Sequence, residues 1–145
     1  MAEHNSNLYT KQTADQGGKL MPRELGGKIR TACDVITLAS SAAVGDKINL
    51  VRLPKGARLL ETSELRFSSG LGASVTVKVG DANDDDRYLA AKAPGASGAV
   101  IKLDALAFTS GGYVLPNETA IAITVGGAAI ASGTKIGVQL EYVDY

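Results

Sequence analysis

The sequence alternates apolar and polar side chains in several short stretches, and this period of two restricts the possible folds more than its composition does. Such stretches run from 74 to 79, from 120 to 125 and from 135 to 142. Their apolar positions are Val75, Val77 and Val79, then Ile121, Ile123 and Val125, then Ile136, Val138, Leu140 and Tyr142. On a pleated strand this spacing places one face in a core and the other in water. We therefore predict an all-β domain.

Turn-forming residues such as Gly126-Gly127 separate these stretches, and others such as Pro54-Lys55-Gly56 lie earlier in the chain. Strands at this spacing are typical of a sandwich or barrel, and about eight antiparallel strands fit a jelly roll. We predict a jelly-roll-like β domain over residues 28–145 that contains no helix. The predicted strands are 28–38, 45–53, 57–67, 73–80, 87–91, 99–108, 119–125 and 134–143.

Residues 1–27 show neither strand nor helix periodicity and contain several glycines and a proline, so we predict an extended N-terminal arm. A segment this polar cannot order itself through its own burial. Its acidic and basic residues are balanced, which disfavours nucleic acid as its partner. We expect the arm to lie against another protein, with strand addition as one mode of binding. Its apolar anchors are Leu8, Tyr9, Leu20, Met21 and Leu25.

The charge of the whole chain is also balanced, with 15 lysine and arginine residues against 15 aspartate and glutamate residues. No long-range field therefore attracts it to nucleic acid or to an anionic membrane. No apolar run approaches the roughly 20 residues needed to cross a bilayer. Five tyrosines, two phenylalanines and no tryptophan make a thin core, so we expect self-association to supplement it. Without a signal-peptide pattern, we expect synthesis and folding in a reducing cytoplasm.

The sequence contains few candidates for catalytic residues. The only histidine, His4, lies in the arm, so no serine or cysteine of the domain has a histidine base beside it. Cys33 is expected to be a buried or half-buried thiol on a strand. One histidine and one cysteine cannot complete a zinc site of four nitrogen or sulfur ligands. We predict a protein that is not an enzyme and that has no cofactor, catalytic site or metal site.

An acidic stretch from Gly80 to Arg87, GDANDDDR, is the densest group of chemically active side chains. Asp81, Asn83 and Asp85 match the first three ligand positions of a calcium loop, but the sixth position lacks glycine and the twelfth lacks glutamate. The stretch also fits a solvated turn in which Asp and Asn side chains cap backbone N–H groups and Arg87 offsets charge. A third interpretation is an acidic patch that binds a basic protein surface.

Three stretches, GDKINLVRLPKGARLL, SVTVKVGDANDDDRYLAA and KIGVQLEYV, resemble the capsid cement, or decoration, proteins of tailed bacteriophages. The resemblance spans most of residues 28–145 and consists of strand and turn patterns. It implies a jelly-roll module, commonly a homotrimer, that binds the exterior of the virion head and braces subunits of the major capsid protein. It implies no catalytic residues.

Two other classes of function remain open from the sequence. One is a different phage structural component, such as a head-fibre base, a tail protein or an adaptor. The other is a carbohydrate-binding or calcium-binding β-sandwich. A calcium site would be revealed by calcium-induced thermal stabilisation that the Asp85→Ala substitution abolishes.

Overall fold

The computed structural model describes residues 28–69, 71–104 and 113–144, and these residues form nine strands. None of the described ranges contains a helix long and apolar enough to cross a membrane. The predicted all-β fold is confirmed. The strands are β1 (Lys28–Thr37), β2 (Lys47–Leu53), β3 (Ala57–Leu59), β4 (Glu64–Phe67), β5 (Thr76–Gly80), β6 (Leu89–Lys92), β7 (Ile101–Lys102), β8 (Thr119–Gly126) and β9 (Lys135–Asp144).

The strands form two antiparallel sheets, as expected for a β-sandwich. One sheet has the order β1-β9-β4-β7, with β3 also paired to β9, and the other has the order β2-β8-β5-β6. The pairing is nested along the chain, because β1 pairs with β9, β2 with β8, β4 with β7 and β5 with β6. We interpret this nested order as a jelly-roll arrangement.

The core contains the apolar faces that alternation predicted. Ile121, Ile123 and Val125 of β8 are buried, as are Ile136, Val138 and Leu140 of β9, while Val75, Val77 and Val79 are buried in and beside β5. Tyr142 is only partly buried. Among the described residues, Phe67 and Tyr88 are the two aromatic residues that are almost completely buried. Aliphatic side chains therefore supply most of the apolar area that stabilises the described domain.

The strand predicted over 57–67 is broken into β3 and β4, which lie end to end along β9. The four intervening residues leave the ladder, and the backbone of Glu141 opposite them is hydrogen-bonded in another way. The N–H of Leu60 donates to the carbonyl oxygen of Glu141 at 2.8 Å. The fully buried Ser63 hydroxyl accepts the N–H of Glu141 at 2.9 Å and donates to its carbonyl oxygen at 3.1 Å. A side chain thus replaces part of the ladder.

Other predicted strands also differ in extent, since 45–53 begins at Lys47 and 73–80 begins at Thr76. The stretch predicted over 87–91 forms β6 at Leu89–Lys92, because the side chain of Arg87 turns back to the acidic loop. The stretch predicted over 99–108 contains only the two residues of β7 within the described part of the chain, and 105–108 lie outside it. Alternation was weakest in these two stretches, where alanine and glycine interrupt the pattern.

Candidate assembly surface

The arm residues predicted to bind protein, Leu8, Tyr9, Leu20, Met21 and Leu25, lie outside the described residues. Their role therefore stays a prediction. The described chain starts at Lys28, the first residue of β1. Any contact made by the arm is thus connected directly to this strand.

Strand β1 is the most exposed long element among the described residues. It pairs with β9 along ten consecutive positions, from Lys28 opposite Asp144 to Thr37 opposite Lys135, without a register shift. Because β1 is the end strand of its sheet, one side of its backbone faces away from β9. Ile29 and Val35 are 61 % and 63 % exposed, although both are large and apolar. An end strand with this character is a template for pairing with another chain.

The two faces of β1 differ in their surroundings. Ala32 and Ile36, at even-numbered positions, pack against the buried core. The odd-numbered positions, which include Ile29, Cys33 and Val35, point to the other face of the sheet. Cys33 is exposed, so the expectation of a buried or half-buried thiol is wrong. The reason is that no second layer of described residues covers this face of the end strand.

A shallow groove of about 360 Å³ crosses the sheet beside Cys33 and Val35. Its floor includes Gly137 of β9, which lies opposite Val35 and has no side chain to fill the space. Its far wall is formed by Arg66 and Glu64 of β4, which make an ion pair at 3.0 Å. The groove combines an apolar wall with a charged wall, as protein contact surfaces often do.

The acidic loop between β5 and β6 is organised around Asp81, whose side chain is only 1 % exposed. One carboxylate oxygen of Asp81 accepts the backbone N–H groups of Asn83 and Asp84 at 2.9 and 3.1 Å. The other accepts the Nε–H of Arg87 at 2.8 Å. The loop folds back so closely that a Cβ atom on Gly80 would overlap backbone atoms of Asp84 and Asp85. Glycine is therefore required there.

Arg87 ties this loop to a second segment of the chain. Its guanidinium carbon lies 3.9 Å from the centre of the Tyr113 ring, which is within the range of a cation–π contact. Its Nη2 atom also lies 3.7 Å from a carboxylate oxygen of Asp84. Next to it, burial raises the pKa of the Tyr88 hydroxyl, and the charge of Asp81 raises it further. Tyr88 is therefore neutral at physiological pH.

These contacts favour the turn interpretation of the acidic stretch over the calcium interpretation. Asp81, the first matched calcium position, already uses both carboxylate oxygens within the protein. The remaining acidic group, Asp84, Asp85 and Asp86, brings its carboxylates within 4.8 Å of one another. Asp85 contacts Lys78 at 3.4 Å. The sequence identified the capping role of this loop but not the Tyr113 contact, since 26 residues separate Tyr113 from Arg87.

No protein-family model matches the chain, and no curated protein matches it. Solved structures do. A chain in the capsid of Ralstonia phage GP4 is 23% identical, with a TM-score of 0.65 over 82% of this chain and 86% of that one. A chain in the capsid asymmetric unit of cyanophage Pam1 is 22% identical, with a TM-score of 0.63 over 100% of both chains. The protein therefore shares the fold of chains that occur in bacteriophage capsids.

Proposed function

We propose that this chain is a structural protein of a bacteriophage virion, and that it acts as a cement, or decoration, protein on the outer surface of the head. The observation that carries this proposal is the fold likeness to a chain of the cyanophage Pam1 capsid along the whole length of both chains. The balanced charge supports a position away from the packaged genome. The exposed β1 surface supports a role in protein contacts.

The proposed mechanism is mechanical rather than chemical. A module that binds across two or more subunits of the major capsid protein stabilises their association, because it binds the assembled shell and not the separated subunits. Packaged DNA pushes the shell outward, so this binding opposes the separation of neighbouring subunits. We propose that the protein is a homotrimer. In a trimer, one attached copy raises the effective concentration of the other two at their own sites.

We propose that the arm, residues 1–27, supplies the principal contacts with the shell. An extended segment with five separated apolar anchors can occupy shallow pockets on more than one subunit. The folded domain then positions the arm through β1, which begins at Lys28. Only the assembled shell offers enough contacts to offset the entropy lost when the arm becomes ordered, so the arm binds the assembled shell selectively.

The decisive experiment locates the protein in intact particles by electron cryo-microscopy. Density for the domain on the head exterior, in contact with two capsid subunits, is the expected result. Density on the tail, at a head fibre or inside the shell would contradict the proposal and favour another structural role. Light scattering of the purified protein at micromolar concentration tests the trimer, and a monomeric mass would contradict it.

A binding assay with purified, undecorated heads tests the arm. Removal of residues 1–27 is expected to lower the affinity for heads at least about a hundredfold, because two anchors that each contribute about 1.4 kcal/mol already give this factor. A second variant keeps the full chain and replaces the five apolar arm residues with serine. Its control replaces five polar arm residues instead. Full occupancy of heads by the truncated and the serine variants would contradict the proposed role of the arm.

A further inference from the structure

We propose that β1 is a site of strand pairing between two copies of this chain, which joins their five-stranded sheets edge to edge around a two-fold axis. The occupant of the β1 edge is thus β1 of a second copy, in the antiparallel direction. This contact goes beyond the proposed binding of the shell, and it differs from the proposed trimer contact, which has three-fold symmetry.

The first argument is that β1 differs from the other end strands of the described sheets. β7 has two residues, β6 has four residues and a register shift in its pairing, and β2 is interrupted by a shift between Asn49 and Val51. Short length and bulges are the means by which proteins prevent unwanted edge pairing. β1 has ten residues, no register shift and no proline. Its edge is therefore competent to pair.

The second argument is that the sequence of β1 is complementary to itself in one antiparallel register. When Ala32 lies opposite Ala32 of the partner subunit, Ile29 of one copy lies opposite Val35 of the other. In the same register, Arg30 lies opposite Asp34. Because the axis is two-fold, each pair occurs twice. The two large exposed apolar residues of β1 and two of its charges are thus matched at once.

Neighbouring registers lack this match. A shift that centres the pairing on Cys33 places Ile29 opposite Thr37 and Arg30 opposite Ile36. A shift that centres it on Thr31 places Lys28 opposite Asp34, but it leaves Val35 without a partner in β1, which begins at Lys28. Registers centred between two residues are excluded, because they would place an inward-facing side chain of one copy opposite an outward-facing side chain of the other. Self-complementarity therefore selects one register.

The ion pairs already present in one copy are compatible with the pairing. Arg30 contacts Asp144 of β9 at 3.3 Å, with half of its side chain exposed. The Asp34 carboxylate accepts the backbone N–H of the adjacent Val35 and remains exposed. Both side chains can therefore reach across the strand edge. The contact involves a single strand from each copy, so we expect it to be weak in dilute solution and to strengthen where copies are concentrated, as on a shell.

Cysteine cross-linking of the concentrated, full-length protein tests the register. In the variant with Ala32→Cys and Cys33→Ser, the two introduced thiols lie on directly opposed residues, about 4.5–5.5 Å apart at Cα, which a disulfide can span. We expect oxidation to convert the protein into covalent pairs and no larger covalent species. The matched control, Thr37→Cys with Cys33→Ser, places its thiols about 33 Å apart, from ten residues at about 3.3 Å each, and is expected not to cross-link.

Charge reversal tests the matched ion pairs in the same cross-linkable background. Arg30→Asp alone or Asp34→Arg alone places like charges opposite each other twice, and is expected to lower the rate of cross-linking about tenfold. The two variants mixed together restore both opposite-charge pairs, so mixed covalent pairs are expected to form at the original rate. Rescue by mixing distinguishes a cross-strand contact from damage to the fold.

Three outcomes would overturn the proposal. These are equal cross-linking at positions 32 and 37, no cross-linking at position 32, and no rescue in the mixture. Ready formation of a Cys33–Cys33 disulfide in the unmodified chain would also contradict it, because these residues are diagonal neighbours about 7–8 Å apart in this register. Binding to heads is measured separately. Loss of cross-linking with normal head binding rejects the pairing alone, and the converse rejects the proposed function alone.

Discussion

The two ends of the five-stranded sheet are built in opposite ways. At one end, β1 runs for ten residues along β9 in an unbroken ladder and exposes Ile29 and Val35. At the other end, β7 forms only two paired positions with β4, and a 2.8 Å ion pair between Lys92 and Asp104 lies beside it. A short edge strand with charged neighbours resists pairing, whereas a long regular strand invites it.

A second contrast is between β1 and the loop that leads into β6, which is an end strand of the four-stranded sheet. The polypeptide leading into β6 is held by a buried carboxylate, Asp81, and by the Arg87 contacts with Asp81 and Tyr113. β1 is held by its ladder to β9 and by the packing of Ala32 and Ile36 on the core. We therefore expect the polar contacts near β6 to affect stability, and the exposed side chains of β1 to affect the proposed pairing of copies. Substitutions in the loop before β6 and in β1 should therefore affect different measurements.

The largest effect on stability is expected from Asp81→Ala. This substitution removes the acceptor of two backbone N–H groups and the buried partner of Arg87. We expect a loss of about 2–3 kcal/mol in the free energy of unfolding, at the lower end for a buried pair because Arg87 keeps its contacts with Asp84 and Tyr113. Urea unfolding, with the midpoint and slope compared to the unmodified chain, measures it.

Asp86→Ala is the control for the acidic loop, because Asp86 is exposed and its change is expected to stay within about 0.5 kcal/mol. Equal effects of the two substitutions would contradict the structural role assigned to Asp81. Calcium gives a second control. A calcium-dependent rise in the melting temperature that Asp85→Ala abolishes would restore the calcium interpretation of this loop.

An intermediate effect is expected from Ser63→Ala at the break between β3 and β4. The substitution leaves the N–H of Glu141 without its partner, whereas the carbonyl oxygen of Glu141 keeps the bond from Leu60. We expect a loss of about 1–3 kcal/mol in urea unfolding. Ser97→Ala is the matched control, because its hydroxyl also bonds a backbone carbonyl but lies exposed, where water can replace it. A loss no larger than the control would show that the β3–β4 break does not need Ser63.

Alternation predicted most of the sandwich because a half-buried strand needs a period of two. The faces of β8 and β9 follow it residue by residue, from Ile121 to Val125 and from Ile136 to Leu140. Breaks within strands were missed where a side chain replaces the ladder. Nothing local distinguishes Ser63 from an ordinary polar strand residue, since its partner, Glu141, is 78 residues away in sequence.

The candidate surface was less predictable than the fold. The exposure of Cys33 and Val35 depends on the position of β1 at the end of a sheet, and strand order is a tertiary property that a local pattern does not encode. The capping role of the acidic loop was among the predicted alternatives, because Asp and Asn favour turns through their own short side chains. The Arg87–Tyr113 contact required the fold.

The smallest effect on stability is expected from Val35→Lys. This substitution also tests the contrast between β1 and the rest of the domain most sharply. Val35 is 63 % exposed, so a charge at this position should change the free energy of unfolding by no more than about 0.5 kcal/mol. In the proposed strand pair the same charge is unfavourable, because position 35 lies opposite Ile29 of the partner subunit and the lysine replaces an apolar contact. Cross-linking through position 32 should therefore fall, while the melting temperature stays constant.

Val44→Lys is the matched control, since Val44 is 59 % exposed and lies in the turn between β1 and β2. It introduces the same charge outside the β1 edge and should leave both stability and cross-linking unchanged. A large loss of stability in Val35→Lys would mean that β1 is held by its outward side chains. Equal loss of cross-linking in both variants would mean that net charge, and not the β1 edge, controls association. Either result would remove the functional contrast between the two ends of the sheet.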